Sequence, residues 1–77
     1  MPIFDVIHVI GEQGFGETTE DLGTVEARTP MEAIRKVATC LGWNQHEPNA
    51  EVASLMNPEA PNRDGEYCDY YMAELRR

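Results

Sequence analysis

Leu22–Trp43 reads LGTVEARTPMEAIRKVATCLGW, and its reading decides the fold. The first part, Leu22 to Arg28, alternates as a strand, with Val25 and Ala27 toward a core and Thr24, Glu26 and Arg28 outward. Thr29-Pro30-Met31-Glu32 then opens a helix. Thr29 can accept from the backbone of the first turn, Pro30 suits the first helical position, and Glu32 completes a capping box. Met31, Ile34, Val37, Ala38 and Leu41 recur at helical spacing and form the apolar stripe, with Arg35 and Lys36 off it. Gly42 is placed to stop the helix in a left-handed conformation.

Upstream, Ile3 to Ile10 (IFDVIHVI) is rich in Ile, Val and Phe and reads as a strand. Its even positions are Phe4, Val6, His8 and Ile10; its odd ones are Ile3, Asp5, Ile7 and Val9. Both sets are mostly apolar, so the strand is expected at the centre of a sheet with its second face at least partly covered. Gly11 to Asp21 (GEQGFGETTED) reads as a hairpin loop. Downstream, Trp43 to Glu66 holds three prolines and four asparagines and gives no clear period. Within it Val52 to Met56 fits a short helix or a short strand, and Asn62 to Gly65 a turn. Tyr67 to Leu75 is the expected last strand, with Tyr71, Ala73 and Leu75 on one face and Tyr70, Met72 and Glu74 on the other. The expectation is one α+β domain over residues 1–77. It has a three-stranded antiparallel sheet, β-β-α-β in order 2-1-3, packed on one main helix. One helix covers one face; the other is left for a partner, a homodimer mate or the proline-rich segment.

Charge is the strongest signal outside that unit. Fourteen acidic against six basic residues in 77 give a net charge of −8. Such a field repels nucleic-acid backbones and anionic membranes and attracts basic protein surfaces. The six basic residues form no run longer than the pairs Arg35-Lys36 and Arg76-Arg77, which argues against direct nucleic-acid binding. Tyr67, Tyr70 and Tyr71 suggest a base-stacking platform, but their neighbours are Glu66, Asp69 and Glu74, where RNA needs cations. No 18-residue apolar run exists for a membrane span. No leader pattern precedes the first strand, and Met1 reads as the start of a complete short chain. Cys40 and Cys68 read as reduced thiols, which places the chain in the cytoplasm.

Specific chemistry finds little support. Gly14-Phe15-Gly16 lacks the third glycine of a dinucleotide loop, since that position is Thr19, and no lysine follows as a P-loop requires. His8, Cys40, His46 and Cys68 are spread too widely for a metal-ligand motif. Cys40 lies near the apolar helix stripe, and Cys68 stands beside Asp69; both settings disfavour a thiolate nucleophile. No catalytic residue, metal ligand or cofactor is expected. The candidates are instead the acids: Glu12, Glu17, Glu20 and Asp21 with Phe15 as an aromatic anchor, then Asp64, Glu66 and Asp69. On one side of the molecule they would present a surface of nucleic-acid-like sign to a Lys/Arg-lined groove. The bland alternative is that acidity only keeps a small protein soluble.

In size, acidity and strand–strand–helix–strand layout the chain resembles small proteins of phages and mobile elements, anti-CRISPR inhibitors among them. The resemblance covers the overall character of the chain and the unit Leu22 to Gly42, and carries no residue-specific motif. It implies a single-domain, non-enzymatic protein that binds a nucleic-acid-handling complex, in some cases by filling the nucleic-acid groove with an acidic surface. A homo-oligomeric structural or accessory subunit, using the uncovered sheet face, is the alternative.

Overall fold

The apolar first strand does occupy the middle of a sheet, but the sheet is larger than expected. The structure, a computed structural model, describes residues 1–12, 16–38, 42–59 and 67–77, with the side chains of Glu12 and Tyr67 left out. Its elements are β1 (Ile3–Glu12), β2 (Gly16–Glu26), α1 (Pro30–Val37), β3 (Asn44–His46), β4 (Val52–Met56) and β5 (Tyr67–Leu75). All five strands join one antiparallel sheet in the order β2-β1-β5-β4-β3. The three-stranded sheet on one main helix is therefore replaced by a mostly β architecture with one short helix. The two added strands come from the segment that showed no period.

Two further expectations are corrected. Gly11 to Asp21 is not a loop throughout: β1 runs to Glu12 and β2 begins at Gly16, so Glu17, Glu20 and Asp21 are strand residues. The helix ends at Val37, short of the stripe that was to reach Leu41, and Val37 is 41% exposed. Residues 39–41 lie outside the described ones, and Gly42 is not among the glycines with positive φ.

The helix start follows the local chemistry. Thr29 is extended, and its Oγ1 accepts from Glu32 N–H at 3.0 Å. Pro30 occupies the first turn, and Lys36 meets Glu32 one turn on at 3.8 Å. Pro30, Met31, Ala33 and Ile34 are buried, the last three in one core cluster with Phe4, Val6, Ala53, Leu55 and Ala73 from β1, β4 and β5. Val6, Ala73 and Ala53 are cross-strand neighbours in one row. Two small side chains in that row let the helix approach β4 and β5, the strands it touches most.

Between Asp5 and Ile7 of β1, strand β2 carries one residue more. Gly23 takes φ +88° there, its N–H donating to Asp21 Oδ1 at 2.8 Å. This bulge turns Leu22 toward the core, where it packs with Val25.

Candidate functional site

Directly opposed residues of an antiparallel sheet share a face, so the register sorts every side chain. Phe4, Val6 and His8 of β1 lie on the helix side with Leu75, Ala73 and Tyr71 of β5. The opposite face carries the odd residues of β1. One row across it is Thr19–Val9–Tyr70–Met56; the next is Asp21–Ile7–Met72–Ser54; the third is Thr24–Asp5–Glu74–Val52. Among the described residues no helix lies over this face.

The open face has an apolar middle and an acidic border. Ile7, Tyr70 and Met72 are half-buried, Val9 is buried, and Met56 is 37% exposed. Glu17, Asp21 and Glu26 line its β2 margin, and Asp5 and Glu74 sit together in the third row; all five are exposed. Arg76 Nη1 is 3.7 Å from Asp5 Oδ1, with both side chains more than half exposed, a contact of little energy.

The expected acids thus fall in different places. Glu17 and Asp21 share the open face. Glu20 is exposed but opposes His8 on the helix side. Glu12 closes β1 opposite Gly16, while Phe15, Asp64 and Glu66 lie outside the described residues. Asp69 is not a surface acid: it is 8% exposed. Its Oδ1 accepts from His8 Nε2 at 2.7 Å, and its Oδ2 from Asn57 Nδ2 at 3.1 Å. A carboxylate only accepts, so Nε2 is the donor in this contact. Asp69 O also accepts from Asn57 N–H at 3.0 Å.

Around this carboxylate an aromatic group closes the end of the core. The His8 ring stacks on Tyr71 with centroids 4.2 Å apart and 11° between planes. Trp43 leans on Tyr71 at 5.7 Å. The cluster binds β1, β5 and the residue after β4 together. Sequence reasoning placed His8 as an ordinary strand residue and missed its partner. The available signal was a histidine in an apolar strand, which needs a hydrogen-bond partner once buried. Asp5, Glu26 and Glu74 were also missed, because only the register brings them to one face.

Cys68 lies on the open face in the row Glu17–Gly11–Cys68. Burial raises its thiol pKa above the ordinary value, with the Glu17 and Asp69 carboxylates adding to the rise. Burial likewise raises Tyr70, followed by Cys68 and Glu17. Both groups are held neutral, the opposite of what an activated thiol requires. Among the described residues no three His, Cys, Asp or Glu side chains are grouped to hold a metal ion. None of their helices is long and apolar enough to cross a membrane.

Compared with protein-family models, curated proteins and solved structures, the chain matches none.

Proposed function

We infer that this protein is a non-enzymatic binding module that docks the acid-bordered open face of its sheet on a basic surface of a partner protein. One observation carries the reading: Glu17, Asp21, Glu26, Asp5 and Glu74 border a patch of Ile7, Tyr70, Met72 and Met56, with Val9 buried beneath it. An apolar centre inside a polar rim is the usual anatomy of a protein interface. The sign of the rim selects a Lys/Arg-rich partner and speeds the encounter. In its most specific form the reading is an inhibitor that occupies a nucleic-acid-binding surface of a cytoplasmic complex, as some anti-CRISPR proteins do, without touching nucleic acid itself. Asp69 leaves the set of contact residues because it is buried, and Glu20 because it faces the helix side.

The test is capture of partners by the tagged protein at low and high salt, with wild type beside a Glu17→Gln, Asp21→Asn, Glu26→Gln variant. Salt-sensitive recovery of a nucleic-acid-binding complex by wild type, lost in the variant, is expected. Equal recovery by both proteins would overturn the reading. The alternative, a homodimer through the same face, draws on the exposure of Ile3 (40%) and Met56 (37%). It requires a dimer that persists in high salt.

A further inference from the structure

The two edges of the sheet differ. β3 is 3 residues long and β2 is 11. Ala27 N–H donates to Pro2 O at 3.1 Å, which makes Ile3–Glu26 a pair without mutual hydrogen bonds. The backbone groups of Glu26 therefore point away from β1. Two contacts agree: Lys36 Nζ donates to the Glu26 carbonyl at 2.6 Å, and Arg76 N–H donates to Ile3 O at 2.8 Å from the β5 side.

β1 keeps an unbroken register with β5, so its alternation carries past the bulge. His8 and Ile10 turn their backbone groups toward β2, where they oppose Glu20 and Thr18. The N–H and C=O groups of Glu17, Thr19 and Asp21 then point outward, and all three residues are exposed. Among the described residues no strand lies outside β2. Such an edge is a template for strand addition.

Charge decides which strand fits. A strand laid along Glu17–Asp21 would have Glu17 and Asp21 as neighbours on the open face and Glu20 on the other. A second copy of β2 would bring acids against acids, and like charges on opposed strands destabilise a pair. Lysine or arginine on the added strand would meet opposite charge. We propose that the outer edge of β2, from Glu17 to Asp21, takes an extended basic segment of a partner protein as an additional outermost strand. Lys36 on Glu26 O and the bulge at Gly23 bound the usable edge on one side. The proposal rests on the protein being a binder of basic surfaces, and adds how the contact is made.

Two synthetic peptides of equal charge test it, one alternating Lys and Thr, the other alternating Lys and Pro. The second cannot pair as a strand. Wild type should bind the Lys-Thr peptide at least about tenfold more tightly, a few net backbone hydrogen bonds' worth. Amide exchange should slow at Glu17, Thr19 and Asp21. Thr19→Pro removes an outward N–H and no ladder bond, so it should melt near wild type and bind both peptides alike. The two-peptide comparison on wild type stands whether or not that variant folds. Equal binding of both peptides without amide protection would overturn the edge proposal and leave the basic-surface reading intact. So would binding of neither peptide by a protein that still captures a partner in a salt-sensitive way. Binding of neither, with no salt-sensitive partner, would overturn both.

Discussion

Asp69 holds the most concentrated chemistry of any single residue in the described structure. Both its oxygens accept, from His8 and from Asn57, in a site only 8% exposed. Asp69→Ala leaves two donors without their acceptor and should cost about 1–3 kcal/mol in urea denaturation. Adding His8→Ala to that variant should cost less than His8→Ala alone, because the two share one interaction. Cys68 gives a pH prediction. Its folded pKa lies above the ordinary value of 9.0, from burial first and then from Glu17 and Asp69. The neutral thiol is favoured in the folded state, and the unfolded chain ionises first. This contribution to stability is therefore present below the ordinary thiol range and is lost as pH rises through the raised value. Iodoacetamide should modify native Cys68 with a midpoint above that of the unfolded chain, and Glu17→Gln should bring the midpoint down. An unchanged midpoint in that variant would remove Glu17 from the row. None of the Asp69 contacts was legible in the sequence, since His8 and Asp69 stand 61 positions apart and only the β1–β5 register joins them.

Among the elements, the hairpin β1–β2 and the helix start respond to single changes. Gly11 has φ +145°, and a Cβ there would lie 2.6 Å from Gly16 O and 2.9 Å from Glu17 Cα. Gly11→Ala should destabilise by about 1–3 kcal/mol, seen as a lower melting temperature, because both backbone strain and a clash must be relieved. Thr29→Ala should cost about 1 kcal/mol by loss of the cap to Glu32 N–H. The cap was legible because its chemistry is local to Thr29, Pro30 and Glu32. So was the alternation of Tyr71, Ala73 and Leu75, which are spaced for one face and pack together there. Of the additional strands, Val52–Met56 was legible only as a short helix or a short strand, and Asn44–His46 not at all. Asn44–His46 has no apolar residue and is exposed throughout; its pairing with β4 makes it a strand. Val52–Met56 is too short for its two buried positions, Ala53 and Leu55, to establish a period. Gly16–Asp21 is polar and acidic and looks like loop, yet residues 7–12 of β1 offer it a continuous partner; tertiary pairing overrides weak propensity.

At the scale of the whole molecule the helix covers one face of the sheet, and net charge −8 is distributed partly around the other. Their sign was legible from composition; their arrangement was not, because face assignment on β2 depends on a bulge that no local motif marks. Neutralising Glu17, Asp21 and Glu26 should leave stability within about 0.5 kcal/mol of wild type, as expected for exposed positions. The Asn at 21 also keeps an acceptor for Gly23 N–H. The same variant should lose association rate at low salt, where steering is strongest, and differ less from wild type at high salt. Sedimentation should find the wild-type protein without a salt-resistant dimer, since a copy docked on its own acidic border would meet like charge. The most direct test of the central claim is competition on the captured partner complex, with DNA or RNA titrated against the bound protein. Docking on a basic nucleic-acid surface predicts mutual exclusion: nucleic acid displaces wild type, and the complex with wild type bound takes up no nucleic acid. A ternary assembly holding both at once would contradict it.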